Sequence, residues 1–323
     1  MRPLLLSILL LAACSKPAEP PPPEPTPPPA LEDIQARGVL RVGLENHSPP
    51  MYFLGEGGRP DGMELKLIHA IAAELGVSVE ILPITWASHA EAVRNRVVDV
   101  IISGWLPTES LGMDWSTSYL ESGLCLVVAK GSPIRSISGL TGKRVGLYID
   151  PAAEAWAAEA LRSSTILSVE DGYFDLLTAG ELDAVIYDYP FTLGEIGAHA
   201  DAARIVQLNV HPFSYAAMLP AGEPALKAAI DAAIAAVRAR PEYAQWLQAY
   251  LLPAGDLARV LDLDPPEQKP GTRVHPVQEG ETLRTIAARL YGDEARWKDL
   301  WRANKAVVAL PELLPAGTKL VVP

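Results

Sequence analysis

Apolar and polar positions follow two periods along most of this chain. Val39–Leu44, Val77–Leu82 and Val98–Ser103 are short runs rich in aliphatic and β-branched residues, and each predicts a strand. Between them, Glu64–Leu75 repeats its apolar residues at helical spacing, with Leu65, Ile68, Ala72 and Leu75 on one face and Gly76 closing the helix. Glu64 and Lys66 fall off that stripe and are expected on a solvated face. His89–Val97 predicts a second helix. The resulting βαβαβ order implies a parallel sheet covered by helices. A second set follows, with strands at Leu124–Ala129, Arg144–Leu147, Ile166–Val169 and Ala184–Tyr187 and helices at Ala152–Leu161 and Tyr173–Ala179. Two further strands, Ile205–Leu208 and Tyr215–Leu219, lead into Ala-rich helices at Glu223–Arg240 and Pro241–Leu251.

Both periods are absent from the first thirty positions. Met1-Arg2 precedes an apolar run, Pro3–Ala13, that is too short to cross a bilayer, which takes roughly 20 residues. Its positive start, apolar middle and small residues before Cys14 have the anatomy of a secretory signal. Leu11-Ala12-Ala13-Cys14 resembles the lipobox of bacterial lipoproteins, which implies cleavage before Cys14 and lipidation of that thiol. Lys16–Ala30 is dominated by proline, so it can form neither helix nor sheet interior and is expected as an extended tether. At about 3.1 Å per residue it reaches on the order of 45 Å from the membrane. Ser15 after the cysteine, by the rule for such lipoproteins, implies the outer membrane if the cell is Gram-negative.

Composition narrows the function. The 323 residues are 49% hydrophobic, enough for a large core, and the net charge is −12 with no long basic run, which argues against nucleic-acid binding. Cys14 and Cys125 are not expected to pair; Cys125 lies within an apolar strand and reads as core filling. The six histidines show no metal-ligand spacing, and there is no Gly-rich phosphate loop or Ser nucleophile elbow, so no metal or cofactor is expected.

Several stretches carry a resemblance. Gly38-Val-Leu-Arg-Val-Gly43, Ser48-Pro-Pro-Met-Tyr-Phe53, Gly62-Met-Glu-Leu-Lys-Leu67 and Val98-Asp-Val-Ile-Ile-Ser-Gly104 are followed by Asp114-Trp-Ser-Thr-Ser-Tyr119 with Glu121-Ser-Gly123, Leu140-Thr-Gly-Lys-Arg-Val-Gly146 and Leu182-Asp-Ala-Val-Ile-Tyr-Asp188. In order and spacing the chain resembles the family 3, polar amino-acid type, bacterial extracellular solute-binding proteins. The resemblance implies a bilobal α/β fold of the periplasmic-binding-protein type II class, two lobes joined by two crossings. It puts the solute-binding domain at residues 31–253, with lobe 1 at about 31–121 and 214–253 and lobe 2 at about 122–212.

The ligand chemistry departs from that family. Its amino-acid binders usually place an Arg several residues after the Ser-Gly strand end to fork onto a carboxylate. They add a hydroxyl-bearing turn at a helix N-terminus and an Asp for the ammonium. Here Ser103-Gly104 is followed by Trp105–Leu111 with no Arg or Lys before Asp114. The turn has become Asp150-Pro151-Ala152, where Asp150 is a good N-cap that competes with and repels a ligand carboxylate. Asp188 remains at the ammonium position. Aromatic residues accumulate at Tyr52, Phe53, Trp86, Trp105 and Tyr148, with Trp105 expected to face ligand and Trp115 expected in the core. Acids beside aromatic faces suit a cation or a stacked sugar-like or peptide-like ligand.

Asp262–Gly271 is charged and contains proline, and residues 254–271 are expected as a linker. Beyond it, Val274-His-Pro-Val-Gln-Glu-Gly-Glu-Thr-Leu283, Ile286-Ala-Ala-Arg-Leu-Tyr-Gly292, Trp297 with Leu300-Trp-Arg-Ala-Asn304, and Leu314-Pro-Ala-Gly-Thr-Lys-Leu-Val-Val-Pro323 resemble a LysM domain over residues 272–323. The resemblance implies a βααβ fold that binds N-acetylglucosamine-containing glycans. The groove would lie between Gly280, Glu281, Thr282 and Leu283 on one loop and the loop at about Ala309–Leu314, with Leu310 and Leu313, on the other.

These readings combine into a lipid-anchored envelope binder of a small molecule, held to peptidoglycan by its tail and serving an ABC transporter permease or an envelope sensor. Two alternatives stay open. A ligandless scaffold between membrane and wall would show no thermal shift with amines, amino acids or muropeptides. A dehydratase of small carboxylates on the same scaffold would turn over prephenate or arogenate.

Overall fold

A computed structural model describes residues 30–169, 171–252, 255–264 and 271–323. Cys14 and nearly all of the Pro-rich stretch lie outside the described residues. The chain runs α1 (Ala30–Arg37), β1 (Val39–Leu44), β2 (Phe53–Leu54), β3 (Pro60–Asp61), α2 (Met63–Glu74), β4 (Ser78–Pro83), α3 (His89–Arg94) and β5 (Val100–Ile101). It continues with β6 (Asp114–Ala129), β7 (Arg144–Tyr148), α4 (Pro151–Ala160), β8 (Thr165–Val169), α5 (Tyr173–Thr178), β9 (Ala184–Asp188), α6 (Tyr189–Ile196), β10 (Ala203–Leu219), α7 (Pro224–Arg238) and α8 (Pro241–Leu251). The last elements are β11 (Arg273–Pro276), α9 (Leu283–Tyr291), α10 (Trp297–Asn304) and β12 (Lys319–Val322).

Among the described residues one sheet has the order β4-β1-β5-β10-β6-β9-β7-β8. Strands β1, β4 and β5 are parallel to one another, as are β7, β8 and β9, which fits the two βαβ sets. The two sets are joined by β6 and β10, which pair antiparallel along nearly their whole length. At 16 and 17 residues and about 3.3 Å per residue, each reaches through both lobes. The expectation of two strands at Ile205–Leu208 and Tyr215–Leu219 is therefore corrected to one continuous strand. Likewise, Asp114–Gly123 is the first half of β6. Polar residues in these stretches concealed the strands, because a crossing between lobes leaves one face open where the pattern of a core strand would be apolar.

The pairing slips at four places, and the largest slip lies near the middle of the two strands. Gln207 faces Leu126 and His211 faces Leu124, so β10 carries two residues more than β6 between them. Asn209 sits in that excess with φ of 50°, a left-handed conformation Asn tolerates better than most residues. Gly123 makes room for it, since a Cβ there would stand 2.4 Å from Asn209 Oδ1. This is the joint between the lobes.

Two further observations differ from the sequence expectations. Ala30 begins a helix, and its N–H donates to Glu223 Oε2 at 3.1 Å. The linker is anchored through its first half: Val260 is buried, Asp262 N–H donates to Ile205 O at 2.9 Å, and Arg135 and Arg204 pair with Asp262. Charge that suggested solvation is consumed by these arginines. Finally, β11, α9, α10 and β12 form the expected βααβ module around Leu283, Ile286, Leu300 and Leu320. Cys125 is buried in the main core, as expected.

Candidate functional site

Helix α2 presents Glu64 inward from its first turn, where a helix N-terminus suits a carboxylate. Glu64 is fully buried, which corrects its assignment to a solvated face. Its Oε1 accepts from the Gly104 N–H at 2.7 Å and from the Tyr119 hydroxyl at 2.5 Å. Its Oε2 is buried without a hydrogen-bond partner. Burial pushes the carboxyl up to about 7, against the pull of those two hydrogen bonds.

Asp188 ends β9 on the other lobe. Its Oδ2 accepts from the Tyr215 hydroxyl at 2.5 Å. Burial raises this carboxyl to about 8; the Tyr215 hydrogen bond opposes the rise and Asp150 adds repulsion. The rings of Tyr119 and Tyr215 are 6.0 Å apart, so paired phenols link the two acids. Among the described residues no cationic side chain contributes to either shift.

Aromatic rings line the same region. Trp86 lies flat on Trp105, with centroids 3.9 Å apart and planes 5° from parallel. Tyr148, at the end of β7, meets Trp86 edge-on at 6.1 Å and Tyr187 at 5.2 Å. Trp105 is 4% exposed, covered by Trp86 on one face. Its Nε1–H donates to His89 Nδ1 at 2.9 Å, and His89 Nε2 stands 3.0 Å from the Ile84 carbonyl. That carbonyl can only accept, so the imidazole is neutral with its proton on Nε2, and burial pushes it down to about 4. Of the two rings, the half-buried Trp86 is the one with surface to offer, and Trp105 supports it from beneath. Trp115 is half-buried, its Nε1–H donating to Thr108 O at 3.1 Å.

The remaining candidates divide between wall and support. Ser103 Oγ accepts from Glu45 N–H at 3.0 Å and holds the strand end. Gly104 has φ of 63°, and a Cβ there would lie 2.5 Å from Phe191 Cζ of the other lobe. Tyr52 is buried and exchanges backbone hydrogen bonds with Ser48. Phe53 meets Tyr250 of α8 edge-on at 6.5 Å, on the scaffold of its own lobe. Asp150 is buried and caps α4, its Oδ1 accepting from Ala152 and Ala153 N–H at 2.8 Å each. Burial nonetheless holds its carboxyl above the usual range, over the opposing pull of those N–H groups.

Residues 40–253 match the profile of the bacterial extracellular solute-binding proteins, family 3, and residues 275–323 match the LysM domain. The chain belongs to this solute-binding family. Among its relatives is the L-cystine-binding protein TcyJ of Escherichia coli (strain K12), 30% identical over 165 residues. That alignment covers 49% of this chain and 62% of TcyJ, so the chain spans less than two thirds of that relative's length. An ancestral arginine-binding protein bound to arginine is 28% identical with a TM-score of 0.59, over 66% of this chain and 98% of that one. The membrane-bound lytic murein transglycosylase F of Vibrio cholerae serotype O1 is 41% identical over 80 residues, 24% of this chain and 15% of the enzyme.

In this solute-binding protein the LysM candidates are deployed unevenly. Gly280 is exposed, with φ of 77°. Glu281 is tied within the module by Gln278 N–H at 2.8 Å, His275 Nε2 at 2.8 Å and Arg289, and these hydrogen bonds lower its carboxyl to about 2. Thr282 caps α9 in a reciprocal box with Thr285, and Leu283 is buried in the module's core. Leu310 is fully buried in the core of the solute-binding body, with half-buried Leu313 packed against it. The structure thus leaves the first loop at the surface and turns the second inward.

Tyr119, Tyr215 and Phe191 were not singled out in the sequence, and Glu64 was assigned to a solvated face. The available signal was Glu64 in the first turn of a helix, set between the apolar residues Met63 and Leu65.

Proposed function

We propose that this protein is a lipid-anchored cell-envelope receptor whose cleft captures a small cationic ligand for a membrane permease or an envelope sensor. The observation that carries the reading is the pair of buried acids, Glu64 and Asp188, raised to about 7 and 8 with no cationic side chain among the described residues to compensate them. A positively charged ligand supplies that missing partner and drives both carboxyls to ionise. Trp86 and Tyr148 offer ring faces for a cation or for the flat side of a sugar-like or peptide-like group, each contact contributing roughly 0.5–2 kcal/mol. Asp150, already satisfied by its helix, disfavours a ligand carboxylate at the turn where the family usually binds one. The arginine named for one structural neighbour is consistent with a cation in the cleft.

Binding without chemistry is part of this proposal. The similarity to a murein transglycosylase covers too little of that enzyme to carry a reaction across. Anchoring by lipid at Cys14 completes the reading from the sequence side. The LysM domain supports a hold on peptidoglycan. Full-length protein is expected to sediment with insoluble peptidoglycan, and protein lacking residues 272–323 is expected to stay in the supernatant. Equal sedimentation of both forms would remove the tail from the account. A thermal-shift panel of cationic amines, neutral and acidic amino acids and muropeptides tests the cleft, with stabilisation expected for the cations.

A further inference from the structure

The C-terminal module grips both lobes at their joint. On the lobe 2 side, Asn209 Nδ2 donates to Lys305 O and to Val308 O, each at 2.9 Å. On the lobe 1 side, Arg238 of α7 forms an ion pair with Glu312 and also donates to Ser118 O of β6 at 2.7 Å. Between these polar ties Leu310 is fully buried in the solute-binding core. The grip therefore runs through one loop, residues 305–313, in the order lobe 2, core, lobe 1. Beside it the module and the joint part around a cavity of about 640 Å³, lined by Phe213, Trp297 and Trp301 among others.

A joint bends by changing the angle between the halves of β6 and β10. A loop fastened to Asn209 in the bulge and to Arg238 on the other lobe resists that change. The second half of this loop, from Ala309 on, belongs to the second wall of the glycan groove in the reading of the LysM domain given above, on which this inference rests. The geometry points to a switch: the 305–313 loop either clamps the joint between the lobes or forms the glycan groove. Peptidoglycan engagement would then free the lobes to open, and a docked module would mask its own glycan site. Thermodynamic linkage makes the effect mutual, and the apparent glycan affinity is the intrinsic one reduced by the undocked fraction.

The test uses the full chain and the double variant Asn209→Gly/Glu312→Ala. Glycine keeps the left-handed backbone at 209 while removing the amide, and Glu312→Ala leaves Arg238 bonded to Ser118 O. Amide hydrogen exchange is expected to rise at least tenfold at residues 305–313 and 207–211 together, with the strands β1, β4, β7 and β8 unchanged. Capture by insoluble peptidoglycan is expected to rise at least fivefold. In the wild type, saturating tetra-N-acetylglucosamine should raise exchange at the same two segments. Unchanged exchange in the variant would overturn the clamp. Raised exchange with equal peptidoglycan capture by both forms would overturn the masking alone. Raised exchange with no capture by either form would overturn the glycan reading itself, and the masking with it.

Discussion

Replacing Asp188 by Asn, or Glu64 by Gln, is expected to weaken binding of a cationic ligand by about a hundredfold or more. Removing one partner of a buried charge pair typically costs about 3–5 kcal/mol, which is roughly two to three and a half decades of affinity. The pH dependence carries a separate signature. The acids sit at about 7 and 8 in the unliganded protein, and the cation requires them ionised. Affinity should therefore climb from pH 6 to pH 8, and binding at pH 6.5 should release protons, seen as a dependence of calorimetric heat on the buffer's ionisation enthalpy. The sign for stability is opposite. Between their unfolded values and about 7 and 8 these carboxyls hold more protons folded than unfolded, so their contribution to stability falls as pH rises through that window. His89, pushed down to about 4, opposes them below about 6.5. The unliganded protein is thus expected to gain stability from pH 8 to pH 6.5, and the double variant Glu64→Gln/Asp188→Asn should lose that gain. A wild-type melting temperature that rises from pH 6.5 to pH 8 would contradict the assignment.

The second large effect is steric. Gly194 lies on α6 of lobe 2, where an added Cβ would stand 1.9 Å from the Pro49 carbonyl oxygen in the first loop of lobe 1. That contact is backbone on the Pro49 side, so no side chain can turn away from it. Gly194→Ala should hold the lobes apart, at a cost to the closed form of about 1–3 kcal/mol. Ligand affinity then falls roughly 5- to 150-fold, and the radius of gyration of the liganded protein rises. The unliganded variant should not be destabilised, because Ala favours the helix over Gly by about 1 kcal/mol. Weakened binding together with an intact melting temperature separates a closure defect from a folding defect. Unchanged affinity would mean that this closed arrangement is not the ligand-holding one.

The elements of both lobes were largely legible because they bury one face each, and burial writes its period into the sequence. The joint was not. Ser122, Gly123 and Asn209 are polar or small, and what defines them is a register slip between strands more than eighty positions apart. Glu64 was misplaced for a related reason. A lone carboxylate near the start of a helix reads as solvent-facing, and only the fold brings Gly104 N–H and the Tyr119 hydroxyl to it. Trp105 was expected at the ligand and stands one layer behind, because sequence position gives the strand end and not which of two stacked rings is outermost. Asp150 resolved toward its capping role, which local sequence does encode. The docking of the 305–313 loop had no local trace, since Arg238 and Glu312 are joined only through tertiary structure.

On the proposed function the cleft holds a cation and lacks the means to hold a carboxylate. Agmatine is arginine without its carboxylate, which makes it the most direct probe. Calorimetric titration of the full chain at pH 8 with agmatine, L-arginine, L-glutamine and L-glutamate is expected to give agmatine binding at least as tight as arginine, with no measurable heat from glutamate or glutamine. Tight binding of glutamate or glutamine, with none of agmatine, would contradict the account.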